Sequence, residues 1–444
     1  MMSENTKPKS VKFGGSSLAD VGQFRKVQNI ILSDETRRYV VPSAPGKRFS
    51  DDIKVTDLFY ECFELSEKEE PIDKPFNMIC ERFNGIIEGL GLDLDISDKL
   101  ASIKNSIENQ AGRDFAASRG EYLNGYILSK LLGFHFIDAA RVIKFHEDGT
   151  YDAETTQMLL SAKLSEHHRA VIPGFYGSMP NGTIKTFSRG GSDVTGAIVA
   201  RAAGASVYEN WTDVYGFLMT DPRIVENPKP IDIITYRELR ELSYMGAGVL
   251  HEDSVFPVRA AGIPINIRNT NAPEDKGTMI VSETSDYNKK NIITGIAGKK
   301  GFAFITVEKD MLHNEKGIGR KILEVIEKED MCTEHIPSGI DTISVIISGD
   351  IDGGKKRRII NGIKNAVNPD SIVYEDGLAL IAVVGRGMER TMGTAAKVFK
   401  ACADNNINIR MIDQGSSEIN IILGVSDADF EKATKAIYNE FIKS

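Results

Sequence analysis

Cysteine and histidine are scarce in this chain of 444 residues, and the few present are badly spaced for chemistry. Cys62, Cys80, Cys332 and Cys402 lie far apart and show neither metal-ligand spacing nor a redox pair, so reduced, mostly structural thiols are expected. His167 and His168 are adjacent and cannot easily share one ion, and no acidic residue sits at ligand spacing from them, so a surface or packing role is expected and no metal site. Nowhere do 18 consecutive apolar residues occur, and the polar segment Met1 to Ser10 lacks the apolar core of a signal peptide. No membrane association and a cytoplasmic location are therefore expected. A sustained basic run is also missing and the formal net charge is -9, which argues against nucleic acid as the partner. With 26% charged and 41% hydrophobic residues, the chain has an ordinary globular composition and enough length for two or three domains.

Glycine, by contrast, is placed where it matters. Phe187 to Gly204 reads as a strand end, a Gly190-Gly191 turn and a helix, with Ser192 expected to cap the helix and Gly204 to end it in a left-handed conformation. Arg189, Ser192 and Asp193 thus gather at a helix N-terminus, where free N–H groups favour anions. A tightly packed βα unit with a purely structural Gly-Gly turn accounts for the same residues equally well. A second unit of this kind opens the chain: strand Lys9 to Phe13, turn Gly14-Gly15-Ser16-Ser17, and a helix with apolar residues at Leu18, Val21, Phe24, Val27 and Ile31. Lys12 precedes the glycines, so the spacing is not that of a Walker A loop. Two such turns at strand ends make a phosphate site more probable than one does.

Between them, Tyr39 to Ser43 reads as a strand. Ala44 to Arg48 reads as a mobile loop with a basic tip, leading into a helical stretch from Asp51 to about Glu70. Residues 71 to 118 read as polar helix capping a sheet edge, and Arg119-Gly120-Glu121 as the entry to a helix from Tyr122 to Leu132, which gives Glu121 a bland explanation as a dipole-complementing first-turn residue. Pro180-Asn181-Gly182 marks a hairpin leading to Arg189. Strands at Ser206 to Trp211 and Pro264 to Arg268, with helices between, complete an alternating α/β pattern to about Ser285.

Lys12-Phe13-Gly14-Gly15-Ser16-Ser17, Arg119-Gly120-Glu121, Gly174-Phe175, Ser188-Arg189-Gly190-Gly191-Ser192-Asp193, Trp211-Thr212-Asp213-Val214 and Thr220-Asp221-Pro222-Arg223, in this order, resemble the aspartokinases of the amino acid kinase superfamily. The resemblance implies an α/β fold, a three-layer αβα sandwich followed by two βαββαβ ACT domains. It implies phosphorylation of the β-carboxylate of L-aspartate by Mg-ATP, with ATP and Mg2+ required, on the route to lysine, threonine and methionine. By the same resemblance Lys12, with the Gly14 and Gly15 backbone, meets the transferred phosphoryl group and Asp193 orients Lys12. Thr56, Glu121, Phe175, Arg189 and Ser192 form the aspartate pocket, Glu121 on the α-ammonium and Arg189 on the α-carboxylate. Ser16 lies with the phosphates, and Thr212, Asp213, Leu218, Arg223, Gly248 and Val249 align with the nucleotide site. Leu218 and Gly248 stand where a tyrosine and a lysine can occur, which leaves those two contacts to the backbone. A kinase for glutamate or N-acetylglutamate and a catalytically silent amino-acid sensor remain alternatives.

After a polar linker from Ser282 to Asn291 a pattern occurs twice. The first repeat reads as strand Phe302 to Val307, helix Gly317 to Lys328, strands Met331 to Ile336 and Thr342 to Ser348, helix Gly353 to Ala366 and strand Ser371 to Tyr374. The second reads as Leu378 to Val384, Thr391 to Ala403, Ile407 to Asp413, Glu418 to Gly424 and Asp427 to Phe441. The expected domains are 1–290 (kinase), 291–370 (first ACT) and 371–444 (second ACT), with threading of one ACT unit into the other left open. Resemblance to paired ACT domains implies a homodimer or a dimer of dimers, and an effector, lysine or threonine, near Met311, Asn314, Gly317, Ile318, Gly319, Glu334, Ser338 and Gly339. Purely structural dimerisation, without effector binding, is the alternative reading of the module.

Overall fold

The computed structural model describes residues 7–188, 190–248, 255–282 and 292–442, so Arg189 and Val249 lie outside the described residues. These residues divide into two compact units, the first comprising 7–217, 230–236 and 255–282, the second 218–229, 237–248 and 292–442. Among the described residues no helix is long and apolar enough to cross a membrane.

The first unit is built on an eight-stranded sheet in the order Ile233–Thr235, Thr278–Val281, Ile265–Asn269, Tyr208–Thr212, Lys9–Phe13, Arg37–Pro42, Ala170–Val171, His135–Phe136. Neighbours run parallel except Ile265–Asn269 against Thr278–Val281. Alternation along the strands sorts their side chains between two cores. Val11, Phe13, Val40 and Val171 face a cluster filled by the helices Val21–Leu32, Val55–Glu67, Asp73–Leu90, Ser97–Glu108 and Arg113–Leu132. Tyr39, Val41, Ala170 and Ile172 face the opposite cluster, filled by Ala153–Ser165 and Gly191–Ala202. The result is a three-layer αβα sandwich. Burying one large side chain such as Phe59 or Phe83 contributes about 1.5–3 kcal/mol, several times the few tenths that helix propensity supplies per residue. Packing on the sheet therefore decides where these helices lie.

That outcome revises two expectations. Residues 71–118 cover a face of the sheet rather than its edge, because Phe76, Ile79, Phe83, Ile86 and Ile103 all belong to the same core as Val11. Helix Arg113–Leu132 also begins two turns earlier than the Arg-Gly-Glu motif suggested, so Glu121 sits inside it, buried, and is not a first-turn residue. The Pro180-Asn181-Gly182 hairpin forms as expected, pairing Tyr176–Ser178 with Ile184–Thr186. His167 stacks on His135 with ring centroids 3.5 Å apart, a packing role as expected.

The second unit carries a five-stranded antiparallel sheet in the order Thr342–Ser348, Gly295–Glu308, Ser371–Val384, Asn420–Ser426, Met411–Asp413. Helices Ile318–Lys328 and Gly353–Val367 pack Ile322, Ile326, Ile359 and Ile363 on Ile305, Val307 and Val345. Thr394–Asp404 and Phe430–Ile442 complete the second repeat. Two strands are longer than expected and each serves both repeats. Phe302 to Glu308 pairs with the strand's first half, Ser371 to Leu378, whereas Gly295 to Lys299 pairs with its second half, Leu380 to Val384. The closing strand of the second repeat thus precedes the whole first repeat in the chain. Met331 to Ile336 does not form the expected strand; only isolated bridges join His335 to Ile346 and Ser338 to Ile343.

Candidate active site

Lys12 ends a strand at the centre of the sheet and is 7% exposed. A buried ammonium needs partners, and its Nζ lies 2.6 Å from Asp193 Oδ1 and donates to Asn210 Oδ1 at 3.3 Å. Asp193 is held in the first turn of helix Gly191–Ala202, whose start is set by Gly190 in the left-handed region at φ 56°. Ser192 does not cap this helix as expected. It lies within the first turn, 9% exposed, against Gly174, where an added Cβ would stand 2.6 Å from Ser192 Oγ. Gly204, at φ 57°, follows the last turn as expected.

Beyond Lys12 the chain turns at Gly14, whose N–H donates to the Trp211 carbonyl at 3.0 Å, and enters the short 3-10 helix Gly15–Leu18. Lys12 Nζ lies over this turn, 3.6 Å from where a Gly14 Cβ would be. The Ala44 to Arg48 loop, expected to be mobile, is tied down against it. Gly46 N–H donates to the Gly15 carbonyl at 2.8 Å. Asp52, 8% exposed, pairs with Arg48 at 2.9 Å and Arg82 at 2.7 Å, and Arg82 also donates to the Gly46 carbonyl at 3.0 Å. The hydrogen bond from Arg48, together with Arg82, holds the Asp52 carboxyl well below the usual range despite burial. The anchor residues, Asp52 and Arg82, are 30 positions apart, so local composition could not disclose the pairing. At Gly46 a Cβ would lie 2.6 Å from the Gly15 carbonyl carbon. Gly46→Ala is expected to cost about 1–3 kcal/mol by overpacking, measured by denaturant unfolding, with activity falling as the two turns separate; unchanged stability would show that the apposition is loose.

The same loop receives Glu121. Its Oε2 is buried with no hydrogen-bond partner. Burial pushes its pKa up to about 8, against the opposing pull of the Ala44 N–H and, more weakly, Arg119. Three residues on, Asn124 donates to the Ser43 carbonyl at 2.6 Å. Thr56, half-buried in the first turn of Val55–Glu67, follows Val55, which lies 3.5 Å from where a Cβ on Gly120 would stand. Phe175 holds a positive φ of 81°, an unusual conformation for a bulky residue. Its N–H donates to Thr195 Oγ1 at 3.0 Å, and Thr195 donates to the Gly191 carbonyl at 2.8 Å. Lys12, Gly14, Gly15, Ser16, Thr56, Glu121, Phe175, Ser192 and Asp193 therefore gather around the carboxyl ends of the central strands, where open α/β sheets bind ligands.

Thr212 ends its strand in the first unit and donates to Asp213 at 3.2 Å. Leu218, Arg223 and Gly248 belong to the second unit. There Arg223 is exposed and pairs with Asp221 at 2.6 Å, and nothing stands within 4 Å of a Cβ built on Gly248. Of the effector residues, Met311 is left-handed at φ 60° and 63% exposed, with its N–H on Asp341 Oδ1 at 3.0 Å. Asn314 ends a 3-10 turn, and Gly317, at φ 77°, precedes the helix that starts with buried Ile318 and Gly319. Ser338 and Gly339 lie in the turn closed by the Gly339 N–H on the Thr342 carbonyl at 2.8 Å. Glu334 is not a free carboxylate, since it accepts from Tyr244 Oη at 2.5 Å and pushes that phenol up to about 12.

Sequence reasoning missed Asn210 and the Asp52–Arg82 anchor. The signal for Asn210 was present: an amide in a buried interior strand fits poorly unless something opposite needs it.

A model of the amino acid kinase family matches residues 11–269, and a model of the ACT domain matches residues 381–441. Aspartokinase 3 of Bacillus subtilis is 37% identical, covering 98% of each chain. The crystal structure of Clostridium acetobutylicum aspartate kinase aligns with a TM-score of 0.93 at 54% identity, over 98% of this chain and 100% of that one. Escherichia coli aspartokinase III in complex with lysine and aspartate aligns with a TM-score of 0.73 at 25% identity, over 98% of this chain and 99% of that one.

Proposed function

This chain belongs to the aspartokinase family of amino acid kinases, and from that membership we propose how its residues transfer the γ-phosphoryl group of ATP to the β-carboxylate of L-aspartate. Phosphoryl transfer asks for positioning and charge neutralisation more than covalent help. The acceptor carboxylate is already ionised near pH 7, so no general base is needed. Lys12 neutralises charge on the group in flight, with the Gly15 N–H beside it, since the Gly14 N–H expected to share this role is taken by the Trp211 carbonyl, and Asp193 aims Lys12. Arg189 takes the α-carboxylate through its fork. Glu121 takes the α-ammonium, with Thr56, Phe175 and Ser192 walling the pocket. Ser16, Thr212, Asp213, Leu218, Arg223, Gly248 and Val249 serve the nucleotide.

Glu121 carries this reading. A carboxylate 5% exposed, with one oxygen unpartnered, is costly unless a cation arrives, and a free amino acid brings one where an N-acylated substrate does not. Among the described residues no group of three His, Cys, Asp or Glu side chains is placed to hold a metal, and Asp193 is already paired with Lys12. The donor set therefore fits a Mg2+ held mainly by ATP phosphates and water rather than by a protein cage.

Activity is regulated through the ACT domains, and the effector proposed is lysine, as in the E. coli enzyme, with threonine the other candidate. The loop from Met311 to Gly319 adjoins the turn carrying Ser338 and Gly339, because Lys309 and Met311 both bond Asp341. For Glu334 to hold an effector ammonium it must share or release Tyr244. Exposed Ile336, Ile340 and Ile412 favour a homodimer or dimer of dimers through this module. A domain border near 290, two ACT repeats that exchange strands rather than divide at the expected border of 370, and a cytoplasmic location complete the proposal.

The test is hydroxylamine trapping of β-aspartyl phosphate from L-aspartate and Mg-ATP, with lysine and threonine added singly and together. Product that falls with lysine is expected. Inhibition by threonine alone would reassign the effector, and ATP binding without product would favour the silent-sensor alternative.

A further inference from the structure

We infer that Asn210 is a positioning residue for phosphoryl transfer, a two-sided amide that fixes the Lys12–Asp193 pair in its working geometry. Lys12 and Asn210 are register partners on adjacent parallel strands, so their side chains rise side by side from one face of the sheet. Helix Gly191–Ala202 lies on that face: Ser10 Oγ donates to the Gly196 carbonyl at 3.1 Å and Tyr208 Oη to the Asp193 carbonyl at 3.1 Å. Asn210, 4% exposed, completes this polar row. Its Oδ1 accepts from Lys12 Nζ at 3.3 Å and its Nδ2 donates to Asp193 Oδ1 at 2.9 Å, the oxygen that also meets Lys12.

The triangle does what the ion pair alone cannot. A lysine ammonium is a compact charge on a flexible stem with three rotatable donors. One carboxylate oxygen leaves it free to swing about that contact. A second acceptor, mounted on a rigid strand, directs two of the three N–H bonds into the protein and leaves the third for a phosphoryl oxygen. The Nδ2 donor in turn stops the Asp193 carboxylate from rotating away. An amide, unlike an apolar residue or a second carboxylate, offers both a donor and an acceptor without charge.

The inference rests on Lys12 as the residue that meets the transferred group, so Lys12→Ala is assayed in parallel. Asn210→Leu removes both contacts at similar volume and is expected to lower kcat about tenfold or more, with KM for aspartate and ATP within twofold of wild type. Asn210→Asp distinguishes positioning from packing. Ionised, an aspartate there loses the donor and crowds Asp193; protonated, it again offers one donor and one acceptor. Its kcat relative to wild type is expected to be low at pH 8 and to recover as pH falls to 5.5. Both variants within twofold of wild-type kcat at every pH would overturn the inference, as would a defect in KM alone or a loss in Asn210→Asp that ignores pH. If Asn210→Leu does not fold, the pH profile of Asn210→Asp decides. Should Lys12→Ala itself turn over normally, the assignment of Lys12 fails first and the inference with it; an inactive Lys12→Ala beside a normal Asn210→Leu would remove Asn210 alone.

Discussion

Lys12→Ala is expected to lower kcat for β-aspartyl phosphate formation about a thousandfold, the scale seen when one preorganised electrostatic contact to a transition state is lost. A factor of that size corresponds to about 4 kcal/mol of barrier. Lys12 can supply it because it is 7% exposed, in a setting where a charge acts through less water, and because Asp193 and Asn210 hold it before substrate arrives. The fold should survive. Asp193 loses its cation, but its side chain is 20% exposed and keeps the Asn210 Nδ2 donor, so it remains partly hydrated and hydrogen-bonded. The cost should therefore fall below the 3–5 kcal/mol, roughly, of breaking a fully buried pair. Steady-state kinetics with ADP binding and a thermal melt are the measurements. A kcat within tenfold of wild type would remove Lys12 from the transfer step.

Glu121→Gln is expected to raise KM for aspartate roughly 10- to 100-fold, the equivalent of about 1.5–3 kcal/mol for a charge-assisted hydrogen bond. The same substitution should stabilise the protein without ligand, and the sign follows from the shift. Glu121 in the fold is pushed up to about 8, from the ordinary value of 4.5. Between those values the folded protein retains a proton that the unfolded chain gives up, so stability falls as pH rises through this window, and the penalty is complete above about 8. Glutamine does not titrate. Its melting temperature should exceed the wild type's by more at pH 9 than at pH 4. Aspartate affinity of the wild type should rise from pH 6 to about 8, as the carboxylate that meets the ammonium becomes ionised, and level off above it; the variant should lack this dependence. An unchanged KM in Glu121→Gln would take the ammonium away from Glu121.

Glu121 also shows where a sequence motif stops being informative. Arg-Gly-Glu identifies the residue, yet neighbouring residues gave it the wrong place in its helix. A helix start set by packing leaves a weak local signal, since Gly112 precedes Arg113 without a side-chain cap. The Ala44 to Arg48 loop failed in the same direction. Glycine, proline and basic residues imply mobility when read locally, but Asp52 and Arg82 meet only once Val55–Glu67 and Asp73–Leu90 have packed together.

By itself the sequence determined the chemistry-bearing positions and the order of elements. Lysine before one Gly-Gly turn, aspartate after another, alternation in the strands and a repeated strand-helix pattern are local properties, and local physics reads them. The tertiary structure alone decided which of these residues meet. Asn210 reaches Lys12 across 198 positions because two strands fall into parallel register. Gly295 to Lys299 closes the second ACT repeat by pairing with Leu380 to Val384, on the far side of the entire first repeat. Such contacts depend on strand pairing and core packing between distant segments, whose free energy is shared by the whole fold and is written in no single stretch of the chain.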